Sequence, residues 1–211
     1  MSKDKIKAMF VGTAIGDCLG MPVETWTPAK IVEKYKFVND YLVPDGHKWF
    51  NGHAAGTYTD DTQLTLAVAE AIIESPLDMD VQRKHHVAAL KETDAGWGNS
   101  TRNAVRNLAN GAHWANAGKG QTGVGNGVAM KISPVGAYLF SVRNDRDALR
   151  DGLEYLKSIN LMTHYTSISF SAALAQAFAV YYCLKSDSIS YDAELFKKSV
   201  LKASIVGQQI L

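Results

Sequence analysis

Thr59-Asp60-Asp61-Thr62 stands between Gly56 and a run of helical spacing, residues 63–73. Two adjacent carboxylates flanked by hydroxyls repel each other unless something positive shares their space. A helix N-terminus offers partial positive charge and unpaired N–H groups. A divalent ion offers far more, and carboxylate and hydroxyl oxygens suit hard ions such as Mg²⁺ or Mn²⁺. A plain Ser/Thr/Asp helix cap accounts for the same four residues. The two readings are compatible, because a cap here also aims the carboxylates at open space. Behind the motif, Leu64, Val68, Ala71 and Ile72 share one face of a helix over residues 61–74, so the acids stand at the start of a core helix.

Outward from this point the chain reads as all-α. Residues 6–19 form a helix rich in small side chains, ended by Gly20-Met21-Pro22. Thr27-Pro28 opens a short helix, with Thr27 as cap and Pro28 in the first turn. Residues 37–55 are irregular, with a turn at Pro44-Asp45-Gly46. Helices are expected over 79–92 and 101–110, then a Gly- and Asn-rich loop over 111–127. Residues 128–143 form one helix entered across Pro134, or two short ones. Residues 146–159, 168–184 and 192 to the last residue complete the set. No useful period-2 alternation appears, so no sheet is expected.

Composition narrows the function. The chain has 211 residues and a formal net charge of +1. That length suits a single domain with a sizeable core. No basic stripe marks a nucleic-acid binder; Arg102, Arg106 and Lys119 are a solvated face. Cys18 and Cys183 form no CxxC pair, so a reducing cytoplasmic setting is the simplest. The N-terminus carries charges of both signs and does not read as a signal peptide. The most apolar run, 168–184, is slightly short for a span and contains Ser169, Ser171 and Gln176. It reads as a buried helix, so no membrane partner is expected.

Four further segments carry possible chemistry. In Gly16-Asp17-Cys18-Leu19-Gly20-Met21-Pro22-Val23-Glu24, Asp17 lies at a helix C-terminus, where an acid is disfavoured and needs a partner. A structural hydrogen bond to loop backbone is its plain reading. Glu24, on the loop beyond, either reaches a site or faces solvent. In Gly123-Val124-Gly125-Asn126-Gly127-Val128-Ala129-Met130-Lys131-Ile132-Ser133-Pro134, closely spaced glycines can turn backbone N–H groups toward a phosphate. A flexible turn explains them equally. Met162-Thr163-His164-Tyr165 places a histidine at a helix junction, where packing or capping is the ordinary role. Trp97-Gly98-x-Ser100-Thr101 sets an aromatic before a capped helix, where core packing is the ordinary role.

Together these five segments, in this order, resemble the ADP-ribosylglycohydrolase family, which includes the dinitrogenase reductase-activating glycohydrolases and the jellyfish crystallins. The resemblance runs from about residue 5 to 184. It implies a compact, orthogonal multi-helix domain around a binuclear Mg²⁺ or Mn²⁺ site, and hydrolysis of the glycosidic bond joining ADP-ribose to an acceptor. By resemblance, Thr59, Asp60 and Asp61 are metal ligands, Asp61 also serving catalysis. Glu24 stands where some members carry a mobile catalytic carboxylate. Gly125, Asn126, Gly127 and Met130 resemble the loop holding phosphates and the proximal ribose. His164 resembles a residue lining the ADP-ribose cleft, and Trp97 and Ser100 resemble its rim. Lys131 stands where many members have Arg, which removes a bidentate fork.

The family also carries a second metal motif, Asp-x-Asp-Thr or close to it, well after the Thr-His helix. Nothing like it occurs up to Leu211. The resemblance therefore implies an N-terminal portion of the family fold, residues 1–211, truncated at its C-terminus and short of half its metal ligands. The last helix, with Phe196, Val200, Ala203, Val206 and Ile210 on one face, has no closing signal. A second copy or a missing C-terminal segment is the expected cover for that face. Two other functions suit the same residues: a module that holds ADP-ribose without cutting, and a crystallin-like structural homologue.

Overall fold

The computed structural model describes residues 2–120 and 123–210. Gln121 and Thr122, within the expected loop, and Leu211, at the expected end of the last helix, lie outside the described residues. Ten α-helices occur among the described residues, and no strand. They are α1 (Lys3–Gly20), α2 (Pro28–Tyr35), α3 (Asp60–Glu74), α4 (Met79–Glu92), α5 (Asn99–Ala109), α6 (Trp114–Ala117), α7 (Ser133–Ser141), α8 (Arg146–Thr163), α9 (Ser167–Lys185) and α10 (Ala193–Ile210).

Side-chain caps set several of these boundaries. Thr27 Oγ1 accepts from Lys30 N, with Pro28 in the first turn as the sequence implies. Asp78 accepts from Asp80 N and Val81 N at the start of α4. Asp145 accepts from Asp147 N and Ala148 N at the start of α8. Each cap satisfies N–H groups that the helix itself leaves unpaired.

Helix α3 lies at the centre, packed on α4, α7 and α1, while α9 packs on α7 and α10. Leu64 and Val68 of α3 meet Leu108, Ile132, Leu156 and Ile159 in one core, all fully buried. Each side chain of this size contributes about 1.5–3 kcal/mol on burial. By length and composition α1 and α9 could each cross a bilayer. In this fold α9 spends its apolar surface on α7 and α10.

The structure decides between two alternatives in one place and corrects the expectation in another. The stretch over 128–143 is two pieces, a 3₁₀ turn at Ala129–Lys131 and α7, because Pro134 belongs in a first helical turn. The expected loop over 111–127 contains α6, capped by His113 Nδ1, which accepts from Ala115 N. The apolar face of α10 is only partly covered. Ala203 is buried, but Val206 and Ile210 are exposed and edge a groove of about 470 Å³ between α8, α9 and α10.

Candidate functional site

The start of α3 is capped from another helix. Thr59 is its N-cap residue, yet its side chain accepts no capping bond. Asp17, at the end of α1, supplies the oxygens instead. Asp17 Oδ2 accepts from Thr59 N at 2.8 Å, Thr62 N at 3.1 Å and Thr62 Oγ1 at 2.6 Å. Its Oδ1 accepts from Thr59 Oγ1 at 2.7 Å. The acid that is disfavoured at one helix C-terminus thus answers the positive end of another helix. The bond to loop backbone expected of Asp17 is present, with two hydroxyls added. The hydroxyls of Thr59 and Thr62 flank Asp60 and Asp61 and pin the turn that presents them.

Asp60 and Asp61 project into a cleft of about 280 Å³ lined by Gly16, Asp17, Gly20, Met21, Glu24, Thr59 and Asn126. Four carboxylates line this void and no basic side chain does. Burial pushes the Asp60 carboxyl up to about 6; Glu24 and Asp17 add to the rise, while its backbone hydrogen bond and Thr59 oppose it. Burial pushes Asp61 up to about 7, with Asp17, Asp60 and Glu24 adding to it. Burial comes first in both cases, so mutual repulsion is the secondary cause. Glu24 is half-exposed at the cleft edge. Among the described residues no group of three or more His, Cys, Asp or Glu side chains closes into a metal-ligating cluster. The carboxylate and hydroxyl oxygens of this lining nevertheless fit part of a coordination sphere for a hard divalent ion.

The glycine-rich loop enters the cleft from the other side. Gly125 and Asn126 are exposed, and Asn126 lines the cleft beside the acids. Gly127 is buried because the loop is pressed onto His164. A Cβ at Gly127 would stand 2.6 Å from His164 Cε1 and 2.8 Å from Thr101 Oγ1, so only glycine fits. Met130, partly buried, ties the loop down: its N–H donates to Asn126 O at 3.0 Å and its carbonyl accepts from Thr65 Oγ1 at 3.1 Å.

His164 is buried and forms the floor under Gly127. Lys131, also fully buried, donates from Nζ to Thr163 Oγ1 at 3.2 Å. The Thr163 hydroxyl lies 3.1 Å from His164 Nδ1. The Thr163 hydroxyl thus joins the buried amine to the imidazole. Burial, aided by the Lys131 charge, pulls His164 down to about 4. Burial pulls Lys131 down to about 7, against a smaller opposing effect of Asp60.

The sequence-derived residues therefore fall into two groups. Glu24, Thr59, Asp60, Asp61 and Asn126 share one cleft, while Gly125, Gly127 and Met130 belong to the loop that carries Asn126 and His164 lies beneath it, none of them lining the cleft. Trp97 is not on a rim. It is 1% exposed in the main core, and its indole N–H donates to Gln63 Oε1 at 2.8 Å. A large ring with its single donor satisfied packs better inside than at a wet edge. Ser100 sits beneath the loop: a Cβ at Gly123 would fall 2.1 Å from Ser100 Oγ. His47 escaped the sequence reading because it lies in the irregular stretch over 37–55. Its only sequence signal is its place after the Pro44-Asp45-Gly46 turn.

An all-helical domain with paired acids at a helix start, facing a glycine-rich loop seated on a histidine, defines a narrow class of protein. The family model for ADP-ribosylglycohydrolase matches residues 1–207, and the chain belongs to that family. An uncharacterized protein of Archaeoglobus fulgidus is 30% identical over 210 residues, covering 95% of this chain and 61% of its own length. Human ADP-ribosylhydrolase ARH3 is 25% identical over 95% of this chain and 54% of its own length. The ADP-ribosyl-dinitrogen reductase glycohydrolase of Rhodospirillum rubrum is 29% identical over 62% of this chain and 43% of its own length. A solved ADP-ribosylglycohydrolase-related protein complex has a chain with TM-score 0.64 and 23% identity, covering 86% of this chain and 56% of that one. That structure supports the fold. The chain spans about half the length of the curated relatives it matches.

Proposed function

We propose that this chain carries one side of a cleft that hydrolyses the glycosidic bond between ADP-ribose and an acceptor. The observation that carries this reading is the void lined by Asp17, Glu24, Asp60 and Asp61 with no basic side chain among its lining residues. Buried carboxylates of this density need a cation or protons, and both suit glycoside hydrolysis.

Asp60, Asp61 and Thr59 would hold a divalent ion, Mg²⁺ or Mn²⁺. When bound, that ion would neutralise the acids and act as a Lewis acid. The chain's own groups do the rest. Gly125 and Asn126 present exposed backbone to the diphosphate, where the lack of side chain at Gly125 allows close approach. His164, neutral and locked by Thr163, supports that backbone from below. Glu24, at the solvent edge of the cleft, takes and returns the proton exchanged with the attacking water and the leaving acceptor. Without the ion Asp61, raised by its surroundings, holds a proton near neutral pH, and ion binding would displace that proton. Turnover would require oxygen ligands beyond those of Thr59, Asp60 and Asp61 to complete the ion's coordination.

The test has two arms, both on residues 1–211. Calorimetry with ADP-ribose, with and without Mg²⁺, reads binding; release of ADP-ribose from a modified protein, with Mg²⁺ or Mn²⁺, reads hydrolysis. The proposal expects metal-assisted binding with slow or no release. Robust release by the monomer would overturn the requirement for further ligands. Absence of binding under both conditions would overturn the functional reading itself.

A further inference from the structure

We infer that His47 is the positioning residue for Glu24, the group that sets which way its carboxylate points in the cleft. This rests on the role proposed for Glu24 above. The His47 side chain is only 6% exposed, although it sits on a loop. Its Nδ1 accepts from two backbone donors, Trp49 N and Phe50 N, both at 3.3 Å. The ring also lies against the rings of Trp49 and Phe50, with centroids 5.8 and 5.3 Å away. A nitrogen that accepts twice cannot carry the proton of a neutral imidazole, so the hydrogen is on Nε2. That Nε2 faces Glu24 Oε2 at 3.7 Å.

The loop-anchoring role of His47 explains Nδ1 and the ring packing. It does not explain why the remaining donor is held toward the one half-exposed carboxylate of the cleft. A glutamate in that situation has several open rotamers, and ordering it costs conformational entropy. A fixed N–H beside it offsets part of that cost in one direction only. At 3.7 Å the contact is longer than a hydrogen bond, and a small rotation of Glu24 closes it to one. The imidazole touches no reacting atom; it acts through the carboxylate.

Two substitutions separate the ring's two nitrogens. His47→Asn keeps an acceptor where Nδ1 stands and deletes the Nε2 donor. His47→Gln keeps a donor that reaches toward Glu24 and loses the Nδ1 acceptor. Long-range proton–nitrogen NMR on the full chain should show His47 as the Nε2–H tautomer, with its Nε2 resonance shifted by Glu24→Gln. In the release assay His47→Asn should lower kcat about tenfold relative to His47→Gln at similar KM, the rate equivalent of one lost hydrogen bond. Thermal stability should rank the other way, with His47→Gln the less stable. An Nδ1–H tautomer, or a His47 resonance blind to Glu24→Gln, overturns the inference. So does a kcat order that follows stability. If the wild-type chain releases no ADP-ribose, as the need for further ligands allows, the spectra alone decide the His47–Glu24 pair; the functional reading stands or falls on the binding arm.

Discussion

On one side of the cleft Asp17, Glu24, Asp60 and Asp61 crowd together with no basic group among the lining residues. On the far side of the loop that brings Asn126 to the cleft, Lys131, Thr163 and His164 form a buried chain of contacts under Gly127. The two sides respond to pH in opposite directions. Burial raises the acids, so they shed strain by taking up protons as pH falls. Burial lowers His164 and Lys131, so that side is most comfortable when neutral and suffers as pH falls. The first side is limited by charge and needs something from solution. The second is limited by shape and is complete in itself.

The largest expected effect comes from cancelling a charge on the acidic side. Asp61→Asn should reduce turnover by on the order of 10²–10⁴-fold in any form of the protein with activity, the usual range for a lost acid–base group. The same change should raise the thermal midpoint of the metal-free chain, because a buried charge is removed. Scanning calorimetry beside a release assay reads both. A fall in both quantities would mean that Asp61 is structural.

Next in size is a steric change on the other side. Gly127→Ala puts a methyl 2.6 Å from His164 Cε1 and 2.8 Å from Thr101 Oγ1, against two buried side chains. Overpacking of this kind costs about 1–3 kcal/mol. Chemical denaturation should show that loss together with weaker ADP-ribose binding. Unchanged stability would mean that the loop lifts freely off His164.

A graded effect, read only as a difference between two proteins, is the pH dependence of the acidic side alone. The folded values of about 6 for Asp60 and about 7 for Asp61 lie above the ordinary carboxylate range of the unfolded chain. The folded chain therefore keeps protons that the unfolded chain releases, and this contribution to stability falls as pH rises from about 4 through about 7. His164 and Lys131 slope the other way, so the difference from an Asp60→Asn/Asp61→Asn variant isolates the acids. The variant's advantage in thermal midpoint should grow from pH 4 to pH 8. A constant difference would remove charge from the account of this side.

The smallest effect is expected in the core. Trp97→Phe deletes the bond to Gln63 Oε1, worth about 1 kcal/mol, and should leave ADP-ribose affinity unchanged in calorimetry. Weakened binding would restore Trp97 to the cleft.

The helices were legible because their signals are local. Thr27-Pro28 and the apolar spacing of Leu64, Val68 and Ala71 each state their structure within a few residues. The acidic motif was legible for a related reason: Thr59-Asp60-Asp61-Thr62 brings its charges together by adjacency alone. What escaped depends on contacts distant in sequence. Asp17 reaches Thr59 across 42 residues and Thr62 across 45. His47 meets Glu24 only because an irregular loop folds back. Trp97 could be read as rim or core until Gln63 was seen to satisfy its N–H. The 128–143 stretch left its break open because Pro134 suits a helix interior poorly and a first turn well.

The central claim is that the acids at the start of α3 form a cation-binding cleft. Its most direct test is the thermal midpoint of residues 1–211 at pH 8, with and without Mn²⁺, beside the Asp60→Asn/Asp61→Asn variant. Mn²⁺ should raise the wild-type midpoint, since a ligand of the folded state stabilises it by mass action, and should leave the variant unmoved. An equal shift in both proteins, or no shift in the wild type, would contradict the claim.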